Sequence, residues 1–294
     1  MANARALDKR RKSIRNIRKI TRTMELIATA RYKKAMDRAA AVTAYTDQIT
    51  KVVARLVAAG TEVQHPLLET RDQPQTARLL CLTSNRGLCG GYNASVLRTI
   101  VPHVESLRSS VPELIVDVSG KRGINGLKYR QIETTDRYTQ FEDQPPFDEI
   151  EKIASEYLRQ YAFGEIDRLD IVYTKFFSTS RQVPVVETLL PLGSLTETDG
   201  GGGGDDSTSE FEFLPSAESI LEEIIPTSFK VKLFKCFLDA AVSEQVARMI
   251  AMKGATESAG DMIKQLSMTY NRARQSQITG EIMEIIGGVE ALAK

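Results

Sequence analysis

LDKRRKSIRNIRKITRTMELIATARYKKAMDRAAAVTAYTDQITKVVARLVAA, residues 7–59, decides the fold. It holds neither glycine nor proline, so nothing interrupts a helix, and about 53 residues at 1.5 Å rise span roughly 80 Å. A heptad runs through it. One seam is Leu7, Ile14, Thr21, Ala28, Ala35, Val42, Ile49 and Leu56, mostly apolar and small; a second is read as Arg10, Ile17, Met24, Arg31, Arg38, Tyr45 and Val52, only half apolar. Such a rod needs a helical neighbour, with a weak left-handed supercoil signal. Gly60 and Pro66 end it.

The neighbour is at the other end of the chain. A short helix near Pro215 is expected to break at Pro226, with Thr227 or Ser228 capping a second helix that runs to about Ile286. Its seams are Val231, Leu238, Met252, Ala259, Leu266, Ala273, Gly280 and Phe234, Ala241, Ala255, Met262, Ser276, Met283. The two long helices match in length, and an antiparallel pair is the economical way to bury both seams.

Between them the pattern alternates. Ala77–Thr83, Leu114–Val118, Leu169–Lys175 and Val183–Leu190 read as strands, and Asn93–Ser106 and Phe147–Tyr161 as helices. Strand–helix–strand order predicts an α/β domain with a largely parallel, Rossmann-like sheet. The fold class is therefore α/β: a long antiparallel two-helix coiled coil with an inserted α/β domain. The boundaries are 1–60 for the first helix, 61–214 for the inserted domain and 215–294 for the last helix. Residues 200–209, five glycines followed by Asp, Ser and Thr, read as a flexible loop.

Composition narrows the function. Over 294 residues the hydrophobic fraction is 42% and the charged fraction 26%, which excludes bulk disorder. No apolar run reaches the ~18 residues of a membrane span, and the start lacks a secretory apolar region. Three cysteines (Cys81, Cys89, Cys236) and two histidines (His65, His103) make neither a disulfide framework nor a metal cluster, so no metal or cofactor is expected and a reducing compartment is the simplest reading. The net charge of +1 hides an asymmetry: residues 1–38 carry thirteen Lys/Arg against three acidic residues, while 193–223 carry nine acidic residues and no basic one. Charged partners at particular places follow from that polarity. Nucleic acid is disfavoured, because the basic residues spread around the helix and no recognition module accompanies them.

Two stretches invite chemistry. Thr83–Asn93 (TSNRGLCGGYN) follows a strand and opens a helix, like a phosphate cradle, but it lacks the Lys-Ser/Thr of a P-loop and the spacing of a dinucleotide site. A structural tight turn, using glycine's conformational freedom, is the better reading, and Cys89 takes a packing role in it. The end of the chain, Ile278, Ile282, Met283, Ile285, Ile286, Val289 and Leu292, is apolar nearly all round. Either the chain's own α/β domain or a surrounding protein must enclose it. No Ser-His-Asp, paired-carboxylate or metal constellation accompanies these features.

On its motifs the sequence resembles the gamma subunit of F-type ATP synthase over nearly its whole length. Lys12-Ser13-Ile14-Arg15-Asn16 and Lys19-Ile20-Thr21-Arg22-Thr23-Met24-Glu25 resemble the opening helix of that family. Arg86–Asn93 resembles its GLCGG segment. Ser243-Glu244, Ala247–Met252, Ala255-Thr256, Tyr270-Asn271, Ala273-Arg274-Gln275 and Ile278-Thr279-x-Glu281-x-x-Glu284 resemble its last helix. Departures are Gly288-Val289 where the family has Gly-Ala, Gly280 at a position usually held by a better helix former, and the insertion-like, cysteine-free loop at 200–209.

The resemblance implies a non-catalytic rotor shaft inside a ring of three alpha and three beta subunits, coupling ion flow to ATP synthesis or hydrolysis. It implies contacts with the epsilon subunit and the c-subunit ring, and a peripheral place on the cytoplasmic face of the bacterial inner membrane without insertion into it. Lys19, Arg22, Met24 and Glu25 match the family's lower-shaft contacts, and Arg274, Gln275, Thr279 and Glu281 its upper contacts with beta. The competing readings are an unrelated coiled-coil scaffold with an inserted domain, a nucleotide-dependent enzyme, and a nucleic-acid binder.

Overall fold

The computed structural model describes residues 4–58, 66–67, 71, 73–192 and 217–292. The loop at 200–209, Gly60 and Pro215 lie outside the described residues. The elements are α1 (Ala4–Ala58), β1 (Thr76–Leu82), α2 (Tyr92–Ser110), β2 (Glu113–Ser119), α3 (Lys121–Tyr129), β3 (Arg137–Tyr138), α4 (Phe147–Ala162), β4 (Arg168–Ser178), β5 (Arg181–Leu190) and α5 (Ala217–Leu292). The chain divides into two compact units: one of 1–29 with 248–294, the other of 30–247.

In the larger unit five strands form one sheet in the order β3-β2-β1-β4-β5. β1 to β4 run parallel, and β5 returns antiparallel to β4 across a tight turn. The expected largely parallel sheet is there. α3 and the two-residue β3 were not expected: α3 carries Gly123 and Gly126 in nine residues, which hide its periodicity. Those glycines have a packing reason. A Cβ on Gly123 would stand 2.4 Å from the Thr83 hydroxyl and one on Gly126 2.5 Å from Leu97, so α3 lies close against the C-terminal ends of β1 and β2 and against α2.

The period-2 alternation of β1 divides the core. Ala77, Leu79 and Cys81 face α2 and α3 with Val96, Ile100, Val116 and Val118. Leu80 and Leu82 face the other way, toward α4, the start of α5 and the middle of α1, where Tyr157, Phe229, Leu233 and Ala35 pack. Cys81 and Cys236 are buried on these faces, as small core residues, and burial pushes both thiols far up.

α5 corrects the sequence reading. It is one helix of 76 residues running through Pro226, with no break there. The proline leaves only the carbonyl of Glu222 without its helical N–H, and Glu222 is exposed to water. Thr227, expected as a cap, instead donates its hydroxyl to the Glu223 carbonyl at 3.0 Å, one turn back. From Ile225 to Val246 this helix is buried on almost every side within the larger unit.

The smaller unit is the two-helix pair. Thr21 faces Thr256 at 2.8 Å between hydroxyls, and Arg11 stacks over the Tyr270 ring at 4.6 Å, so the helices run antiparallel. The first expected seam holds: Thr21 and Ala28 are buried and Leu7 and Ile14 half-buried. The second does not. Ile17 and Met24 are exposed; the half-buried residues beside the first seam are Arg11 and Glu25, which stand four residues on from it rather than three, with Arg18 between them exposed. α5 shows the same shift, using Thr256, Ile263 and Tyr270 in place of Met262.

Candidate functional site

α1 carries Lys12, Arg15, Arg18, Lys19 and Arg22 at spacings of three and four, so they share one side of the helix. With Asn16, Thr23 and, from α5, Thr256 and Ile263, they line an open groove of about 1150 Å³ in the smaller unit. Lys19 and Arg22 are among the residues expected as partner contacts; Lys12, Arg15 and Arg18, which share their spacing, are not. Arg22 donates to Glu25 at 2.8 Å. Glu25 is turned into the seam, with its second carboxylate oxygen buried and without a hydrogen-bond partner. Met24 is exposed beside it. At the lip, Arg11 and Lys12 bracket Asp8, and their hydrogen bonds hold its carboxyl below the usual range.

Arg274, Gln275, Thr279 and Glu281 are all exposed on α5, with Glu281 accepting from Gln277 at 2.9 Å. The structure does not bring them to the groove: Arg274 is 18 residues beyond Thr256, about 27 Å along the axis. They lie where the pair runs out. With Arg11 opposite Tyr270, the first described residue of α1, Ala4, reaches only to about residue 277 of α5. Beyond that no described residue of α1 lies beside α5, and Ile282, Ile285, Ile286, Val289 and Leu292 are 50–89% exposed.

The glycine-rich turn after β1 is a knot of its own side chains. The Ser84 amide donates to Asn93 Oδ1 at 3.0 Å, Asn93 Nδ2 to Ser84 Oγ at 2.7 Å and to Cys89 Sγ at 3.2 Å, and Ser84 Oγ to the Arg86 carbonyl at 2.6 Å. Leu88 and Gly90 take left-handed φ values of 66° and 56°. These bonds tie the turn to itself and bury Cys89 in its interior.

Two buried charge clusters had no sequence signal. On β1, Arg78 donates to Asp117 at 2.6 Å and Gln160 at 2.7 Å, and Asp117 also accepts from the Tyr157 hydroxyl at 2.7 Å and the Asp136 amide at 3.2 Å. On β4, Asp170 pairs with His103 at 2.7 Å, Arg168 at 2.9 Å and Thr188 at 2.8 Å. Burial opposes the Asp170 charge, yet His103, Arg168 and Thr188 together hold its carboxyl below the usual range. Every carboxylate oxygen in both is spent on internal partners, so these are structural ties. Among the described residues no cluster of His, Cys, Asp and Glu fits a metal, and no helix is long and apolar enough to cross a membrane.

A family model for ATP synthase matches residues 3–292. An ATP synthase gamma chain from Rhodopirellula baltica is 78% identical, the match covering 99% of both chains. The chain belongs to the ATP synthase gamma-chain family. A member from Leptospira biflexa is 37% identical over the full length of both. Among solved structures, one of the Euglena gracilis mitochondrial ATP synthase matches with a TM-score of 0.65 at 19% identity, covering 98% of this chain and 94% of that one. The central stalk and c-ring structure from Tetrahymena thermophila gives 0.59 at 21%, covering 80% and 99%. At that identity these two speak for the fold: terminal helices around a central mixed sheet.

Proposed function

We propose that this chain is the central rotor shaft of an F-type ATP synthase, coupling ion flow through a membrane ring to ATP synthesis or hydrolysis in a ring of three alpha and three beta subunits. The observation that carries the reading is the end of α5, where the large apolar side chains Ile282, Met283, Ile285, Ile286, Val289 and Leu292 are all exposed in the chain alone. Burying one large aliphatic side chain contributes about 1.5–3 kcal/mol, so a protein collar around this end is strongly favoured.

The chain is not the catalyst in this reading; the beta subunits are. It acts because a shaft without rotational symmetry contacts each beta subunit differently at each angle. Angles that stabilise an open site in one beta stabilise a closed site in another, and that difference in interaction energy links rotation to ADP phosphorylation. Arg274, Gln275, Thr279 and Glu281 present hydrogen-bonding groups just below the apolar end, as upper contacts with beta. Lys19, Arg22 and Met24, with Glu25 steering Arg22, form the lower contact, where five cations call for an acidic loop of the partner. Residues 1–60 and 215–294 supply the shaft. The inserted domain, 61–214, meets the epsilon subunit and the c-subunit ring. The complex holds the chain at the cytoplasmic face of the bacterial plasma membrane.

Co-expression with alpha and beta subunits tests the reading. Purification through a tag on this chain should recover three alpha and three beta per copy. A chain that purifies alone from such cells overturns the reading.

A further inference from the structure

The segment joining β3 to α4, residues 139–146, crosses the larger unit and is tied to three different elements. At its start, Asn85 of the glycine-rich turn donates to the carbonyls of Thr139 at 2.9 Å and Phe141 at 2.7 Å. Arg86 of the same turn donates to both carboxylate oxygens of Glu142 at 3.0 and 2.9 Å. In its middle, the buried Phe141 ring meets Phe237 of α5 edge-on at 4.9 Å. Next to it Asp143 divides its carboxylate: one oxygen pairs with Arg31 of α1, and the other accepts from Gln245 Nε2 of α5 at 2.5 Å.

Gln245 is 1% exposed, and its other side-chain atom, Oε1, is buried with no hydrogen-bond partner. A buried amide carbonyl left unpaired is costly. Gln245 is held in that position by its bond to a charged carboxylate, which is stronger than a neutral one.

We propose that residues 139–146 are a strap through which the α/β domain grips both long helices, with Asp143 as a positioning residue for torque transfer. Apolar contact is non-directional: it resists separation far better than it resists sliding. Other polar ties reach α5 from the domain, Lys232 to Glu187 at 3.1 Å, Lys230 to Glu151 at 2.9 Å and the Ser243 hydroxyl to the Thr174 carbonyl at 3.2 Å, but each of these holds α5 alone, whereas Asp143 holds α1 and α5 together. Hydrogen bonds and ion pairs have preferred geometry and resist shear. A single carboxylate that holds both helices fixes them against each other and against the domain at one point. The glycine-rich turn gains a role here as well. Its internal knot holds Asn85 and Arg86 rigid at the base of the strap.

The inference rests on the rotor reading and is tested in the full chain and the assembled complex with Asp143→Ala. Amide hydrogen exchange of residues 139–146 in the full chain should quicken about tenfold, since two charge-assisted bonds no longer oppose local opening. In the complex, ions moved per ATP hydrolysed should fall at least about twofold while the hydrolysis rate stays within about twofold. Unchanged exchange would show that the strap does not grip, and faster exchange with unchanged coupling would remove it from the torque path; either overturns the proposal. If Asp143→Ala does not assemble, Arg31→Met keeps the Gln245 bond and is read by the same two measurements. It should move both the same way by a smaller factor, and no movement overturns the proposal. An unaltered complex that hydrolyses ATP without moving ions would sink the rotor reading instead.

Discussion

Asp239 lies on the buried part of α5 with 7% of its surface exposed, and burial raises its carboxyl to about 6 against an ordinary 3.8; Lys235 and Lys175 pull it down and Glu187 adds to the rise. The folded chain therefore binds this proton more tightly than the unfolded one. Its contribution to stability is present below pH 3.8 and lost as pH rises to about 6, staying lost above. Asp239→Asn should be more stable than the unaltered chain at pH 7.5, by at most about 3 kcal/mol, and the gap should close toward pH 4. Thermal unfolding of both chains across that range checks it; a gap that is constant with pH would mean the carboxyl does not titrate there. None of this was legible in the sequence. Asp239 sits in a helix pattern like any surface acid, and its neighbours on β4 and β5 come from more than fifty residues away. The same holds for Asp170 and His103, and for Asp117 and Arg78. Cys89 was legible, because the glycines around it announce a turn, and a turn at a strand end has a small interior to fill.

Among the elements, α1 was read from its lack of glycine and proline, and its first seam from small apolar residues at every seventh position. The second seam was assigned by hydropathy to the row of Ile17 and Met24, and the helix pair uses Arg11 and Glu25 instead. Long side chains serve there because their stems cover the neighbour while their heads reach the edge, as Arg11 does over Tyr270. A hydropathy count cannot find such a row. At the centre of the pair, Thr256 lies 2.8 Å from the Thr21 hydroxyl and 2.8 Å from the Met252 carbonyl. This polar contact sets the register of two otherwise slippery helices. Thr21→Ala and Thr256→Ala should each destabilise the chain by about 1–2 kcal/mol, and the double variant should cost less than the sum by about 1 kcal/mol. Denaturant unfolding of the four chains measures the coupling; strict additivity would show that the two hydroxyls act independently.

For the molecule as a whole, the sequence predicted two helices of matched length, an error that began at Pro226. Reading that proline as a break shortened α5, which has 76 residues against 55 in α1. Proline is a weak stop where the carbonyl it orphans faces water, and no local rule supplies that context. The apolar end was legible as something to be enclosed, but not that it would extend beyond its helical partner. Ile286, 54% exposed in the chain alone, tests the enclosure. Ile286→Asp and Ile286→Ala should leave the free chain within about 0.5 kcal/mol of each other. In the assembled complex the Asp variant should melt well below the Ala variant, because an unpaired charge would be stripped of water; equal melting temperatures would mean an open end. The overhang past residue 277 has a mechanical consequence too. Resistance to bending grows steeply with the width of a beam, so two helices side by side are much stiffer than one. The paired stretch of α1 and α5 is therefore a girder, and the end of α5 beyond it, one helix wide, is the part of the chain that bends and twists first under load.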